Sequence, residues 1–301
     1  MTDVLIVGSG AMALLFGSRL ASVGIRVTLL GSWEEGINAV QRMGIRVRSS
    51  EGENRYPVAV AREAGEIRNT KAAVVLVKSW QTERAASQLS QILVPDGIVL
   101  TLQNGLGNQE ILSSYLGEER VAQGVTTYGG TLIEPGLVQP GGEGVVSVQA
   151  HPRLNSLTKY IKKAGFTLQV VPDILSLVWG KLVINVAINP LTAILGVQNG
   201  KLLESQSAVN IMVQAATEAA EVAKAKGIIL NIEDPAQAAK SVAQATGKNF
   251  SSMLQDINRG APTEIDYLCG AVTRIGRSVN VPTPVNHLLW QIIKSRVELT
   301  G

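Results

Sequence analysis

Residues 179–194 read WGKLVINVAINPLTAI, which sets a lysine and two asparagines inside one of the most apolar stretches of the chain. An uncompensated buried charge costs several kcal/mol, so Lys181 must find a partner, snorkel to water or serve chemistry. Lys181 and Asn185 are four residues apart and share one helix face, with Asn189 on roughly the same side. Pro190 predicts a break or kink at Asn189, which would then cap the next helix with Pro190 in its first position. A second polar group follows in KNFSSMLQDINRGAPTEIDYLCGAV, with Asn249, Ser251, Ser252, Glu264 and Asp266. Glu264, just after Pro262, suits the first turn of a helix for dipole reasons alone. If it faces Lys181 across a cleft, its carboxylate keeps the amine protonated while desolvation pulls the amine's pKa down. A lysine so placed can give a proton to a developing alkoxide near neutral pH.

The amino-terminal stretch IVGSGAMA supplies a different chemistry. Its turn, Gly8, Ser9, Gly10, Ala11, Met12 and Ala13, has the form G-x-G-x-x-A. Gly8 permits the tight turn, Gly10 lets a pyrophosphate approach the backbone, and Ala13 lets helix and strand pack closely. The following helix offers free N–H groups to the anion. The tip of the second strand, which reads the cofactor's ribose, holds Gly31, Ser32 and Trp33 and then Glu34 and Glu35. It matches neither the acidic rule for NAD nor the arginine rule for NADP, and Ser32 is either a phosphate contact or a turn residue. Two further strands end in VKSWQT and LQNGLGN. They deliver Lys78, Gln81 and Asn104 to the rim where ligands sit, although a solvated lysine and a turn asparagine account for the same residues.

These side chains need elements to carry them. Strands are expected at Val4–Val7, Val27–Leu30, Ala73–Val77, Ile98–Thr101 and Val121–Val125, alternating with helical patterns. That alternation predicts an α/β fold with a mostly parallel, doubly wound sheet. The glycine-rich segment TTYGGTLIEPGLVQPGGEGVVSVQA predicts hairpins closing the sheet edge, and FTLQVV one last strand. Beyond Val171 the pattern becomes helical. Asp173 opens a helix to Asn189, Gly227 stops a second helix, and DPAQAAKSVAQATG is a third; amphipathic patterns at Thr263–Arg277 and Asn286–Val297 complete the set. The expected domains are 1–171, dinucleotide-binding, and 172–301, all-helical.

Composition narrows the class. Of 301 residues, 46% are hydrophobic and 17% charged, an ordinary globular balance. A net charge of +3 without basic clusters argues against nucleic acid as a partner. The single cysteine, Cys269, excludes an internal disulfide, suits a reducing cytoplasm and reads as a small core residue. The apolar run 177–197 contains Lys181, Asn185, Asn189 and Pro190, so it reads as a helix buried in protein and not as a membrane span. No residue set suggests a metal, and a homodimer is compatible with everything above.

GSGAMA, VKSWQT, QNGLGN, WGKLVINVAINPLTAI, the NG at 199–200, SSMLQDI and PTEID together resemble the ketopantoate reductase (2-dehydropantoate 2-reductase) family, nearly end to end. The resemblance implies a Rossmann-type domain followed by a helical one, and NADPH-dependent reduction of 2-dehydropantoate to pantoate on the way to coenzyme A. It implies Lys181 as general acid and Glu264 as its acidic partner near substrate and cofactor. Asn104, Asn185, Asn189, Asn199 and Ser252 would hold the substrate. Lys78 and Asn104 would flank the nicotinamide, with Gln81 near the phosphates. Family members often carry a basic residue where this chain has Ser32, which leaves NAD(H) open beside NADP(H). Two rival readings are a reductase of another small 2-oxo acid and a dinucleotide sensor without catalysis. The sensor leaves Lys181, Asn185 and Glu264 unexplained.

Overall fold

The structure is a computed structural model and describes residues 2–300. The chain separates into two compact units. One holds the residues up to Gln103 together with Asn108–Ile174, and the other holds Asn104–Gly107 and everything from Leu175 onward.

The first unit begins with β1 (Val4–Val7), α1 (Ala11–Ser22), β2 (Val27–Leu30) and α2 (Glu34–Met43). Three short strands follow, β3 (Ile45–Ser49), β4 (Gly52–Tyr56) and β5 (Ala59–Ala61), then β6 (Thr70–Val75), α3 (Thr82–Ile92), β7 (Leu93–Thr101), α4 (Asn108–Leu116) and β8 (Val121–Thr126). It closes with β9 (Gly130–Glu134), β10 (Leu137–Pro140), β11 (Val146–Gln149), α5 (Asn155–Lys163) and β12 (Leu168–Val171). Eight strands form one sheet in the order β12-β11-β8-β7-β6-β1-β2-β5. Every pairing is parallel except β8 with β11. The central strands are short runs such as VLIV and VTLL, buried at every position, as a sheet covered on both faces requires. The strand order reverses between β1 and β6, the switch point beyond which this class of sheet binds its ligand.

The glycine-rich segment differs from expectation. β11 does extend the main sheet, but the β9–β10 hairpin belongs to a separate sheet, β4-β3-β10-β9. β3 and β4 are an unforeseen hairpin, and β10 pairs parallel with β3 across most of the unit's sequence. β4 (GENRY) has no apolar alternation, and that of β3 (IRVRS) covers only two apolar positions, Ile45 and Val47, so the tertiary partner is what marks the pair. At Gly17 in α1 a Cβ would lie 2.8 Å from Ile45 Cδ1, so α1 and β3 pack closely there.

The second unit is helical: α6 (Ile174–Leu195), α7 (Gln206–Ala225), α8 (Pro235–Ala245), α9 (Ser252–Asn258), α10 (Cys269–Ser278) and α11 (Pro284–Thr300). Fully buried alanines on α7 (Ala215, Ala216, Ala219) and α8 (Ala239, Ala243) let backbones approach closely. Side chains cap three of these helices: Ser205, Asp234 and Ser251 each accept a backbone N–H of the first turn. The amino end of α11 is capped from a distance. Buried Glu218 of α7 accepts from the N–H groups of Val285 and Asn286 at 2.9 Å each, and from Asn286 Nδ2 at 2.8 Å. Its negative charge meets the positive end of the helix.

Two expectations need correction. α6 does not end at Asn189 but runs through Pro190 to Leu195, so Asn189 caps nothing. Packing overrides the proline because the surrounding residues are almost all buried. The thiol of Cys269 faces the Val186 carbonyl at 4.0 Å, the acceptor that an N–H at position 190 would have served. The single pattern expected at Thr263–Arg277 divides into a 3-10 turn, Ile265–Tyr267, and α10, with Leu268 between them at φ −104°, ψ −102°. Among the described residues one helix, α6, is long and apolar enough to cross a membrane, and two-thirds of it is buried.

Candidate active site

At the switch point, β1 delivers the glycine turn. Gly8 has φ +134°, and a Cβ there would lie 3.1 Å from the backbone of Leu76 after β6, so no other residue fits. Gly10 begins α1, is exposed, and has nothing within 4 Å of the position of a Cβ. The first turn of α1 has neither a side-chain cap nor an acidic residue, and Ala13 is fully buried against the sheet. Open space above free helix N–H groups fits a pyrophosphate. Ser9 is buried, while Ala11 and Met12 are half-buried on the opening turn of α1.

The other predicted cofactor residues are distributed around the same rim. Ser32 is exposed after β2. Lys78 and Gln81 are half-buried at the two ends of a 3-10 turn after β6, joined by the Gln81 N–H on the Lys78 carbonyl at 2.8 Å. The neighbouring loop is fixed by buried Thr82, which donates to Asn108 Oδ1 at 2.7 Å and accepts from Gln103 Nε2 at 2.8 Å.

The helical unit holds the rest. On α6 the half-buried positions include Lys181, Asn185 and Asn189, whereas Leu182, Val183, Val186, Ala187 and Ile188 are buried. At 100° per residue the three polar positions span about 80° of the helix, one stripe of one face. Desolvation lowers the Lys181 pKa from 10.5 to about 8, and the charge of Glu264 works against it. Glu264 is buried and opens the Ile265–Tyr267 turn. The charge of Glu264 thus reaches the amine across the fold of the helical unit.

Asn104 joins this group by a route the sequence did not reveal. Residues 104–107 cluster with the helical unit, and the Leu106 N–H donates to the Tyr267 carbonyl at 3.1 Å. Gly105 makes that contact feasible: its φ is +81°, and a Cβ would be 2.5 Å from the same carbonyl oxygen. Half-buried Asn104 is thus pinned beside the segment carrying Glu264.

Asn199 and Ser252 lie outside α6, in the 3-10 turn Asn199–Glu204 and in α9. Asn199 is buried, its N–H donates to the Asn249 carbonyl at 3.0 Å and its Nδ2 to Thr246 Oγ1 at 2.8 Å, while its Oδ1 is a buried acceptor with no hydrogen-bond partner among the described residues. Ser252 is half-buried in the first turn of α9, immediately after the capping Ser251. No group of three or more His, Cys, Asp or Glu able to hold a metal occurs among the described residues.

The helical unit thus carries an amine with an acidic neighbour and neutral amides on the same helix face, and the first unit carries a glycine turn of the form that binds dinucleotides. Residues 4–153 match the family model described as ketopantoate reductase PanE/ApbA, and residues 173–297 match its C-terminal counterpart. The 2-dehydropantoate 2-reductase of Pyrococcus horikoshii is 34% identical, covering 99% of this chain and 98% of its own. That of Halobacterium salinarum is also 34% identical, with 97% of both chains covered. Among solved structures, a PanE/ApbA family ketopantoate reductase from Ralstonia eutropha JMP134 superposes with a TM-score of 0.92 at 28% identity, covering 99% of each chain. D-mandelate dehydrogenase in complex with NADH does so at 0.89 and 25% identity, over the full length of both. The chain belongs to the ketopantoate reductase family of oxidoreductases.

Proposed function

We propose that the protein reduces 2-dehydropantoate to pantoate with NADPH, a step of pantothenate and coenzyme A synthesis, and that Lys181 is its general acid. The observation that carries this reading is a lysine set in an apolar helix, its pKa brought down to about 8, with Glu264 opposing the drop. When bound, the reduced nicotinamide supplies the hydride that reaches the C2 carbonyl. Lys181 donates a hydrogen bond to the carbonyl oxygen and gives it a proton as charge develops there. That bond strengthens from ketone to alkoxide, so it stabilises the transition state more than the ground state. Glu264 keeps the ammonium charged between turnovers. Asn185, Asn189, Asn199 and Ser252 orient the substrate's carboxylate and hydroxyl, and Asn104 sits by the reacting carbon. The amides do this without adding a charge that would compete with Lys181.

For the cofactor, Gly8 to Ala13 hold the pyrophosphate, with Lys78 and Gln81 beside it. NADPH is favoured by Arg62, an exposed residue just beyond β5. The register pairs Leu30 with Ala61, and the Gly31 N–H donates to the Ala61 carbonyl, so Arg62 emerges alongside Ser32. Its guanidinium donates to the neutral oxygens Asn38 Oδ1 (2.6 Å) and Gln41 Oε1 (3.0 Å). A cation so placed suits the 2′-phosphate that position 32 does not serve. We place the enzyme in the cytoplasm, alone or as a homodimer, with a small 2-oxo acid as its partner and neither nucleic acid nor membrane.

The test follows absorbance at the nicotinamide band with 2-dehydropantoate, using NADPH and NADH separately, for the wild type and Arg62→Ala. Expected are turnover with NADPH and a selective loss of about tenfold in kcat/KM for NADPH on removing Arg62. No turnover with either cofactor defeats the functional reading; an unchanged cofactor ratio defeats the role of Arg62. A second reading, reduction of a different 2-oxo acid, is favoured by the likeness to D-mandelate dehydrogenase. A panel of 2-oxo acids ranked by kcat/KM separates the two.

A further inference from the structure

The turn of α6 that contains Pro190 is tied to α9 by a buried pair of hydroxyls. Thr192 is fully buried, and its Oγ1 donates to Ser251 Oγ at 2.7 Å, with the carbonyls of Ile188 and Asn189 at 2.9 and 3.0 Å. Ser251, also buried, accepts from the Leu254 N–H at 3.1 Å and points back to the Asn189 carbonyl at 3.5 Å. One end of this chain of bonds holds the backbone of Asn189. The other end is the cap of α9, the residue before Ser252.

A purely packing role does not require hydroxyls here. Replacing both partners of a buried hydrogen bond by apolar groups of similar shape is nearly neutral for stability. What the pair adds is direction, because hydrogen bonds fix distance and angle where methyl contacts allow sliding. Direction matters at this turn because Pro190 has removed one rung of the helix ladder. The Val186 carbonyl is left with the Cys269 thiol, a weak donor at 4.0 Å. The turn bearing Asn189 is therefore the least constrained part of α6 by its own backbone.

We propose that Thr192 and Ser251 are positioning residues that hold Asn189 and Ser252 at a fixed separation, so that the two side chains grip one substrate molecule. This rests on the reading that Asn189 and Ser252 contact the 2-oxo acid. The two hydroxyls do not touch substrate, and they do not act on Lys181 or on the cofactor. Their removal is felt in substrate binding and not in the proton-transfer step.

The experiment compares Thr192→Val, Ser251→Ala, Asn189→Ala and Ser252→Ala in the full-length enzyme. The KM for 2-dehydropantoate, kcat, the KM for NADPH and the calorimetric Kd for pantoate are measured for each. Thr192→Val and Ser251→Ala are expected to raise KM and the pantoate Kd about tenfold, with kcat within about twofold and the NADPH KM unmoved. Thr192→Ser, which restores the hydroxyl, recovers most of the loss. If the Asn189 and Ser252 variants weaken pantoate binding while the Thr192 and Ser251 variants do not, the positioning role is wrong and the substrate reading stands. If none of the four weakens binding, both fall. If neither hydroxyl variant folds at 25 °C, or Thr192→Ser fails to recover affinity, the hydroxyls serve the fold alone and the proposal is overturned.

Discussion

Lys181 offers the sharpest test because its protonation is tied to two structural causes of opposite sign. In the folded chain its pKa is lowered from 10.5 to about 8 by burial, and the charge of Glu264 limits the fall. A general acid works only while protonated, so kcat/KM should be flat below the pKa and fall as pH rises through about 8. At pH 9 about one-tenth of the molecules remain active, and each further unit costs about another factor of ten. Glu264→Gln removes the opposing carboxylate and leaves burial in place. The alkaline limb then moves to lower pH and activity near pH 8 drops, while the plateau at low pH is closer to that of the wild type. Lys181→Arg keeps the charge but holds its proton too tightly to give it up, so the limb vanishes and turnover falls by at least a hundredfold. Folding stability gives an independent reading of the same shift. Between about 8 and 10.5 the unfolded chain binds more protons than the folded one, so stability rises with pH across that window; below 8 the full penalty of burying the ammonium is present. Lys181→Met should therefore be more heat-stable than the wild type at pH 7, with the advantage fading above pH 8. The pH profiles come from initial rates in constant-ionic-strength buffers, the stabilities from thermal scans. An alkaline limb that stays in place in Glu264→Gln, together with a Lys181→Met variant less stable than the wild type, would refute the reasoning.

Other outcomes follow from the packing. Glu218→Ala leaves the Val285 and Asn286 N–H groups buried without their acceptor, which should destabilise the helical unit by about 3 kcal/mol, read as a lower thermal midpoint with turnover at 25 °C retained. Gly105→Ala places a methyl group against the Tyr267 carbonyl in a left-handed backbone; kcat/KM should fall about tenfold or more while the thermal midpoint changes little, because the loop and its Asn104 are displaced without loss of the core.

Several features are legible in the residue order alone because they are local. The glycine turn, the alternation of β-branched runs with helical patterns, the proline and glycine boundaries of α7 and α8, and the anomalous lysine of α6 all depend on near neighbours in sequence. Their physical causes act over one or two turns of chain. Periodicity also sets Lys181, Asn185 and Asn189 on one face.

Other features depend on contacts distant in sequence. β4 (GENRY) carries no apolar alternation and β3 only a short one, and the small sheet exists because β3 pairs with β10 as well as with β4. The helix runs through Pro190 because packing and the Cys269 thiol offset a local preference for ending there, and no local rule contains Cys269. Asn104 reads as a turn residue until Gly105 meets Tyr267, and Thr192 reads as one more core position until Ser251 meets it. The sequence by itself determined the strands of the main sheet, most of the helices and which residues have the chemistry, since backbone propensity and side-chain type are short-range properties. Tertiary structure alone decided the charge balance on Lys181, because desolvation and the field of Glu264 arise only when residues 83 positions apart are folded together.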